Sequence, residues 1–509
     1  MIYPGGQLTA DLLRQAAEDS PSTLFLVGED GYSLTYAEAL DRAGRLAAGL
    51  EDMGVRRGDA VMVVLGSGVE YPLTLFALHA LGAMSVNVNT LYTQDELQYL
   101  HDECQPRIVI CDVGLAPLMR RVRGAAPLVV VGATQSGETD WAGLCDRPGV
   151  DLRPRPGVST DDAATVIYTS GTTSRPKGVI LRQGSHGFAG QYLARNIGLR
   201  EAERYYCILP MFHSNALQNG LFPMLAVRGT VYLRKFSASR FTDDVLELGI
   251  TYTSGGAPHW RMVLAQLEKE GRIRAKGSKL RLALSGMPMS DAEYAGFEAL
   301  FGCRIVEIFG LTEGVVPTTL QPPYGRRKRR TGGLPGLGSE LRIVKEDGSL
   351  ATPGETGEIQ TRTHGAGGLT LGYLKQPEET AKLFTDDGWL RTFDLGYQDE
   401  DCHLNFVSRI KDMIKVGGEN VSASEVERVL GEHPAILEAA AIGLPDPVLG
   451  HVVGAFYVAQ PGADVDLADI IRFCEARLAK FKVPRKLAPI DALPRNALNK
   501  VVKAGLPAL

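Results

Sequence analysis

The chain has 509 residues, of which 44% are hydrophobic and 22% are charged, and its formal net charge at pH 7 is -5. This length exceeds what a single hydrophobic core supports, so at least two domains are expected, and the weak negative charge argues against a general nucleic-acid binder. The apolar runs are all shorter than the roughly 18 residues that span a bilayer, which argues against a transmembrane segment.

The cysteine pattern and the first residues of the chain indicate the cellular compartment of the protein. Seven cysteines are scattered along the chain, and no two of them form a C-x-x-C pair. This pattern argues against a disulfide framework and against a zinc site. Residues 1–7 contain no basic stretch followed by an apolar core, so the sequence predicts no secretory signal and a cytoplasmic protein.

Predicted strands and helices alternate along the first part of the chain. Thr35 and Glu38 form a capping box at the start of a predicted helix, and a second helix is predicted over 71–81. Buried strands that alternate with helices indicate parallel sheets covered on both faces, and therefore an α/β fold. Strands are predicted at 60–65, 84–88, 107–111, 128–131, 163–167, 205–209, 230–233, 251–253, 282–285 and 304–308.

The stretch 168–178 directly follows one of these strands and reads YTSGTTSRPKG. Its hydroxyls, its two glycines and Lys177 offer many hydrogen-bond donors on a flexible backbone, a composition that suits a polyphosphate. A Walker A loop requires G-x-x-x-x-G-K-[ST], and Pro176 and Gly178 on either side of the lysine break that pattern. On these residues alone, an ordinary polar surface loop is the alternative.

A second polar motif, FGLTEG, follows the predicted strand 304–308. Phe309 can stack on a planar ring, Thr312 can bond a phosphate, and Glu313 offers the hard oxygen that Mg²⁺ prefers. Taken alone, a Thr-Glu pair after a strand is an ordinary helix start.

Two other strand ends carry candidate pocket residues. The strand 205–209 leads to Phe212 and His213, and the strand 282–285 leads to Gly286 and Met287. A polar segment follows the histidine, which hints at a substrate with polar groups or an aromatic ring, although the same side chains could face solvent. These polar residues are Ser214, Asn215, Gln218 and Asn219.

The second part of the chain changes in character. Residues 336–372 are rich in glycine, and short predicted strands at 340–344 and 357–361 suggest a small β-barrel-like subdomain. Strands predicted at 436–442 and 452–458, with a helix before them and a helix after them, are typical of a small α+β domain.

In this order, the motifs resemble those of the adenylate-forming superfamily, which comprises acyl-CoA synthetases, luciferases and the adenylation domains of peptide synthetases. The resemblance covers nearly the whole chain and is closest to acyl-CoA synthetases of the fatty-acid or carnitine-CoA ligase kind. It implies an N-terminal domain, residues 1–408, of parallel-sheet α/β subdomains that binds ATP and the carboxylate. Residues 409–509 would form a small mobile α+β lid.

The resemblance also implies residue roles. The catalytic residues would be Lys500, Thr312, Glu313 and His213, with Glu313 also holding Mg²⁺ and Lys411 acting as the hinge. The residues implied to bind ATP or CoA are Thr169, Ser170, Gly171, Thr172, Thr173, Lys177, Gly286, Met287, Phe309, Gly310, Asp394, Arg409, Gly417 and Gly418.

The implied reaction has two steps. A small-molecule carboxylate attacks the α-phosphorus of Mg-ATP and gives an acyl-adenylate and pyrophosphate, while the Lys500 ammonium offsets the developing charge. The lid then rotates about Lys411 and brings Gly417 and Gly418 to the tunnel through which the CoA thiol attacks. Acyl-CoA and AMP are the products.

Three departures from the family pattern keep alternatives open. Phe393 and Asn499 each replace a glycine, and Ser408 replaces a glycine or an aspartate. An enzyme that passes its adenylate to an amine, or that activates another oxyacid such as nitrite, would share the first half-reaction. A non-catalytic binding protein and a phosphotransferase that releases ADP are further alternatives.

Two features have no assigned role in this scheme. The basic run 326–330 predicts a solvated loop. The alternative, which is more specific, is that these residues bind the phosphates of CoA. The oligomeric state is open on the sequence, and a homodimer is one option.

Overall fold

The computed structural model describes residues 7–122, 124, 126–146, 151–169, 176–271, 275–286, 289–365, 367–416, 419–463, 465–495 and 501–509, with only the backbone of Lys411, Asn420 and Ala504. The chain divides into two compact units. One comprises Met1–Leu341 with Thr361–Arg391, and the other comprises Arg342–Gln360 with Thr392–Leu509. The division into domains at 408/409 stays a prediction.

Strands occur throughout the described residues. Those of the first part of the chain are β1 Leu24–Val27, β2 Ser33–Thr35, β3 Ala60–Val64, β4 Met84–Asn87, β5 Ile108–Asp112, β6 Leu128–Val131, β7 Thr139–Asp140, β8 Ala163–Thr169, β9 Lys177–Arg182, β10 Arg204–Cys207, β11 Thr230–Leu233, β12 Tyr252–Gly255, β13 Leu282–Ser285, β14 Arg304–Phe309, β15 Thr319–Leu320 and β16 Leu334–Pro335. Those of the second part are β17 Ser339–Val344, β18 Gly357–Thr363, β19 Gly372–Tyr373, β20 Leu390–Gln398, β21 Leu404–Arg409, β22 Met413–Val416, β23 Glu419–Ser422, β24 Ile436–Asp446, β25 Gly450–Ala459 and β26 Lys486–Pro489.

Most α-helices lie in the first part of the chain. They are α1 Thr9–Asp19, α2 Tyr36–Asp52, α3 Glu70–Leu81, α4 Gln94–Cys104, α5 Ala116–Met119, α6 Trp141–Cys145, α7 Gln183–Ile197, α8 Ser214–Ala216, α9 Phe222–Val227, α10 Ala238–Glu247, α11 Ala257–Lys269, α12 Asp291–Phe301, α13 Pro377–Ala381, α14 Ala423–Gly431 and α15 Leu467–Glu475. The capping box predicted from the sequence is confirmed, because Thr35 caps α2 with Glu38. Ser290 and Glu293 form a second capping box at α12.

The first unit contains two large sheets. One has the order β19-β9-β8-β4-β3-β5-β6-β7, and the other has the order β16-β15-β14-β13-β12-β10-β11-β1-β2. The strands from β8 to β7 run parallel, as do those from β14 to β1, whereas the pairs β8–β9 and β9–β19 are antiparallel. The predicted α/β class with parallel sheets is confirmed.

The strand β3 shows why its sequence is continuously apolar. Val61 and Val63 belong to the largest hydrophobic core, whereas Met62 and Val64 belong to a second core. Successive side chains of a strand point to opposite faces, so the sheet is covered on both sides and every position must be apolar. The helix α3, which is buried on all sides from Tyr71 to Leu81, packs in the larger of these cores.

The second unit has its own core. A sheet of order β23-β22-β25-β24, with β26 parallel to β25, packs against α14 and α15 through buried residues such as Ile414, Val426 and Ile470. The strands β22 and β23 pair in an antiparallel register. The glycine-rich region predicted as β-barrel-like contributes to a four-stranded sheet of order β17-β18-β20-β21.

Two further expectations can be compared with the structure. All seven cysteines are free, as predicted. In the part of the chain that the structure describes, no helix combines the length and the apolar character needed to cross a bilayer.

Candidate active site

The strands β8 and β9 hold the two ends of the predicted phosphate loop. Thr169 ends β8, Lys177 begins β9, and the two residues lie opposite each other in the antiparallel register. Lys177 is 7% exposed. The other predicted loop residues, Ser170, Gly171, Thr172 and Thr173, lie outside the described residues.

Glu313 lies in a single turn of 3-10 helix, Thr312–Gly314, which follows β14. Its side chain is buried, and its Oε1 accepts a 2.7 Å hydrogen bond from the hydroxyl of Tyr373. Its backbone carbonyl accepts a hydrogen bond from the amide of Thr370. Burial raises the pKa of Tyr373 above its ordinary value, and the Glu313 carboxylate raises it further, so the hydroxyl stays protonated and remains a donor.

The same tyrosine also contacts the lysine at the end of the phosphate loop. The Nζ of Lys177 lies 5.0 Å from the centroid of the Tyr373 ring and 2.5 Å from Oε2 of Glu379. Hydrogen bonds from Lys177 and then Lys382 lower the pKa of Glu379 to about 2. The structure thus brings Lys177 and Glu313, which belong to different sequence motifs, into contact with one aromatic side chain.

The carboxylate of Glu313 has the chemistry that a magnesium ion requires. One of its oxygens is oriented by Tyr373, and the other has no hydrogen-bond partner among the described residues. Mg²⁺ binds through one or two carboxylates together with substrate phosphates, rather than in a cage of protein ligands. The described residues contain no cluster of three or more His, Cys, Asp or Glu side chains suited to a metal.

Three predicted nucleotide-binding residues lie at strand ends of the second large sheet. Phe309 is the last residue of β14 and is half-buried, and Gly310 follows it. A Cβ at Gly310 would lie 2.9 Å from the Cα of Pro317, so only glycine fits there. Gly286 follows β13, where a Cβ would meet no atom within 4 Å. Met287 lies outside the described residues.

His213 precedes the short helix α8, and its ring centroid lies 4.5 Å from that of Phe212. The polar residues behind it differ in their contacts. Asn215 accepts a 2.5 Å hydrogen bond from Ser254, whereas Gln218 lies in a turn of π-helix, Leu217–Leu221, and donates to Nδ1 of His186. Gln218 therefore points into the protein interior.

The bond to Gln218 is one end of a buried chain of polar side chains. His186 contacts Thr165 of β8 at 2.8 Å, Thr165 contacts His79 at 3.1 Å, and His79 contacts Thr9 of α1 at 3.1 Å. Burial lowers the pKa of His79 to about 3 and holds the pKa of His186 well below its ordinary value. Both imidazoles are therefore neutral at physiological pH. This row of hydrogen-bonded side chains holds β8, the strand that leads to the phosphate loop, through Thr165.

Asp394 and Arg409 form a pair in the second unit. They are opposite residues of β20 and β21, and Asp394 Oδ1 lies 3.5 Å from Arg409 Nε. The amide of Asp394 donates to the hydroxyl of Thr392, which in turn donates to the carbonyl of Ile359. Phe393, which lies between Thr392 and Asp394 in β20, has a φ of +56°. Phe393 therefore has the left-handed backbone conformation that favours glycine, the residue of the family pattern at this position.

The remaining predicted residues flank described elements. Lys411 lies in the 3-10 turn Ile410–Asp412 directly after β21, and its side chain is not described. Gly417 and Gly418 connect β22 to β23 but lie outside the described residues, as does Lys500. Ser408 is fully buried, and its hydroxyl donates to the carbonyl of Arg409 at 3.2 Å.

The basic run 326–330 is not wholly solvated, contrary to the expectation from the sequence. Arg327 forms a bidentate ion pair with Glu298, and Arg329 reaches the same carboxylate at 3.1 Å. Arg329 also lies over the ring of Tyr294. These two arginines therefore hold the loop on α12.

Tyr373 and Glu379 were not predicted from the sequence. The segment GYLKQPEET, residues 372–380, contains a proline that starts a helix, and that proline was the only local signal. The contacts to Lys177 and Glu313 depend on the pairing of β19 with β9, which joins segments about 190 residues apart.

Comparison with known proteins identifies the family. The AMP-binding enzyme model matches residues 13–374, and the model of the AMP-binding enzyme C-terminal domain matches residues 425–500. The chain belongs to the AMP-binding enzyme family. Its sequence is 32% identical over 483 residues to the crotonobetaine/carnitine–CoA ligase of Salmonella enteritidis PT4, covering 93% of this chain and 92% of that protein.

Solved structures of AMP-binding enzymes have the same fold. ATP-bound MatB from Rhodopseudomonas palustris superposes with a TM-score of 0.86 at 28% identity, covering 97% of each chain. The o-succinylbenzoate CoA synthetase MenE from Bacillus subtilis, in complex with its acyl-adenylate intermediate, gives 0.86 at 28% identity and covers 99% of each chain. The predicted class of acyl-CoA ligase is thus confirmed at the level of the family, whose acyl-CoA ligases use ATP, Mg²⁺ and CoA.

Proposed function

We propose that the chain activates a carboxylic acid as its acyl-adenylate and then transfers the acyl group to CoA, with pyrophosphate and AMP as the other products. The observation that carries this proposal is the contact of Tyr373 with both Lys177 and Glu313. A cation at the end of a phosphate loop and a carboxylate suited to Mg²⁺ are the two charges that a magnesium nucleotide requires. The family's acid–thiol ligase chemistry requires the same pair.

Each motif has a proposed part in the first step. The loop from Thr169 to Lys177 holds the phosphates, Thr312 donates a hydrogen bond to the α-phosphate, and Glu313 holds Mg²⁺, which neutralises phosphate charge when bound. Phe309 stacks on the adenine, Gly310 lets the backbone after it pass close to Pro317, and Gly286 and Met287 line the pocket for the ring and the acyl group.

The second unit supplies the other proposed groups. Asp394 accepts hydrogen bonds from both ribose hydroxyls, and Arg409, 3.5 Å from it, contacts the ribose or a phosphate. Lys500 places an ammonium beside the attacking carboxylate and the α-phosphate. For the second step, Lys411 is the hinge, and Gly417 and Gly418 let the pantetheine arm of CoA approach the backbone closely.

The acid is proposed to carry a polar group. Of the polar residues behind His213, Gln218 and Asn219 are buried, whereas Ser214 and Asn215 are partly exposed. Ser214 and Asn215 are therefore the ones proposed to face the acid together with His213. The curated relatives named as carnitine–CoA ligases and the solved relative MenE agree with a polar acid rather than a plain fatty chain.

The cytoplasm is the proposed compartment, because the reaction consumes ATP and CoA and because all seven cysteines are free. A homodimer stays a prediction, which sedimentation of the purified protein tests.

The test is the release of AMP and pyrophosphate against a panel of aliphatic, aromatic and amino-substituted carboxylates, each with and without CoA. The proposal expects sustained release of AMP that requires one acid and CoA together, with a thioester product identified by mass spectrometry, whereas one equivalent of pyrophosphate already leaves in the first step without CoA. Sustained release of AMP that is independent of CoA would contradict the second step and would indicate another acceptor. Release of ADP would contradict both steps.

A further inference from the structure

A short segment of the first unit, residues 370–380, contacts both charged groups of the phosphate site. We propose that this segment, termed here the clamp segment, positions Lys177 and Glu313 for Mg-ATP through Glu379 and Tyr373. Both are positioning residues, because each acts through another side chain. This inference rests on the proposed function, since it assigns Lys177 and Glu313 to the binding of a magnesium nucleotide.

The backbone of the clamp segment is fixed to the strand that begins with Lys177. In the antiparallel register, Gly372 pairs with Ile180 and Tyr373 pairs with Val179. The amide of Leu374 donates to the carbonyl of Gly178 at 2.8 Å. The side chain of Tyr373 therefore starts from a strand whose register relative to Lys177 is set by backbone hydrogen bonds.

The hydroxyl of Thr380 joins the two ends of the clamp segment. It accepts a hydrogen bond from the amide of Tyr373 at 2.9 Å and donates to the carbonyl of Gln376 at 2.8 Å. Gly372 has a φ of +114°, and a Cβ there would lie 2.2 Å from Cγ2 of Thr380. The close packing of these residues places Glu379, the neighbour of Thr380 in α13, next to Lys177.

Glu313 is held by the clamp segment at two points. The amide of Thr370 donates to its backbone carbonyl at 2.9 Å, and the hydroxyl of Tyr373 donates to its Oε1 at 2.7 Å. A carboxylate held by a neighbouring donor keeps one orientation, and such outer partners of metal ligands typically raise metal affinity about 10-fold to 100-fold. The Tyr373 hydroxyl therefore prepares Glu313 for the ion.

Lys177 depends on the clamp segment in a different way. It is 7% exposed, and Glu379 is its ion-pair partner at 2.5 Å, with the face of the Tyr373 ring beside it. The Glu379 side chain is 32% exposed, so the pair is partly buried, and removal of its charge leaves the Lys177 ammonium uncompensated, which the protein relieves by moving the lysine side chain or admitting water. Glu379 therefore keeps the ammonium at the end of the phosphate loop.

The experiment measures the binding of an ATP analogue with a methylene group between the α- and β-phosphorus. Isothermal titration calorimetry is performed on the full-length protein over a series of Mg²⁺ concentrations and in EDTA. The variants are Tyr373→Phe, which removes only the hydroxyl, and Glu379→Gln, which removes only the charge. Lys382→Gln is the matched control, because it removes the other cation beside Glu379 and leaves Lys177 its partner.

The two variants are expected to differ in their dependence on the metal. Mg²⁺ is expected to raise the affinity for the analogue, and the half-maximal Mg²⁺ concentration is the quantity compared. In Tyr373→Phe this concentration rises about 10-fold to 100-fold. The affinity of this variant for the analogue in EDTA is unchanged. For Glu379→Gln, the affinity falls by about tenfold in both conditions. Thioester formation from supplied acyl-adenylate stays at the wild-type rate in both variants, which a general loss of structure would not permit.

A wild-type Mg²⁺ dependence in Tyr373→Phe would overturn the role of the hydroxyl. An unchanged or increased affinity in Glu379→Gln would overturn the role of the ion pair, since it would mean that Glu379 competes with the phosphates for Lys177. If the wild-type protein itself does not bind the analogue in the presence of Mg²⁺, the proposed function fails rather than this inference.

Discussion

Thr169 and Lys177 lie opposite each other across the antiparallel strands β8 and β9. The two described ends of the predicted phosphate loop therefore lie at one level of the sheet, at the end of a buried strand. Gly178, the next residue of β9, packs against Val166, and a Cβ there would lie 2.8 Å from Cγ1 of that valine. The position of the two loop ends thus depends on strand pairing and on one close contact.

Asp394 gives the first testable prediction. Asp394→Asn should weaken ATP binding about tenfold or more, because a charged acceptor for the ribose hydroxyls becomes a neutral amide. The KM values for ATP and for 2′-deoxy-ATP are compared. The wild type should prefer ATP, and the variant should lose most of that preference. The control is Glu400→Gln, on the exposed turn between β20 and β21. If Asp394→Asn preferred ATP over 2′-deoxy-ATP as strongly as the wild type does, the ribose contact would be excluded.

The backbone of Phe393 gives the second prediction. A non-glycine residue in the left-handed region costs about 1 kcal/mol, and Phe393 has a φ of +56°. Phe393→Gly and Phe393→Ala both lose the ring, so their difference isolates the backbone. The glycine variant should be more stable by about 1 kcal/mol, as measured by thermal or urea unfolding. Equal stability of the two variants would mean that the strain is relieved elsewhere.

The buried imidazole of His79 gives the third prediction. Its pKa is about 3 in the folded protein and close to the ordinary value of 6.5 in the unfolded chain. The unfolded chain therefore takes up the proton first, so stability is complete above pH 6.5 and is lost as the pH falls toward 3. Between pH 7 and pH 5 the loss should reach about 2 kcal/mol, and His186 adds to it in the same direction.

The thermal midpoint of unfolding between pH 7.5 and pH 5 checks this third prediction. His79→Gln removes the titrating group and should show a smaller fall over the same range than the wild type. If the wild type and the variant fall in parallel, another group is responsible for the acid sensitivity.

Much of the fold could be predicted from the sequence, because its signals are local. The strand Ala60–Val64 is buried on both faces and is apolar at every position, and the capping box of Thr35 and Glu38 marks the start of α2 without reference to anything distant. The order of the motifs also placed Glu313 and Lys177 at strand ends, where the structure has them.

The parts that escaped prediction depend on contacts between distant segments. Tyr373 and Glu379 reach the phosphate site only through the pairing of β19 with β9, and neither residue has a local pattern that reveals it. In the same way, Arg327 and Arg329 appeared to be part of a solvated run because Glu298, their partner, lies on α12. The departure at Phe393 was visible in the sequence, but its positive φ was not.

Lys500 provides the measurement that tests the central claim most directly. The claim is that one chain carries out adenylation and thioester formation, and that Lys500 serves only the first of these. Removing its ammonium removes charge stabilisation at the α-phosphate, which is worth about 100-fold or more in rate. Lys486→Ala, at an exposed lysine of β26, is the control.

The measurement follows the two half-reactions of Lys500→Ala separately, once the panel of acids has identified a substrate. Pyrophosphate exchange into ATP reports adenylation, and thioester formation from supplied acyl-adenylate and CoA reports the second step. The account predicts that adenylation is abolished and that thioester formation stays near the wild-type rate. Adenylation at a near wild-type rate in this variant, or an equal loss of both half-reactions, would contradict it.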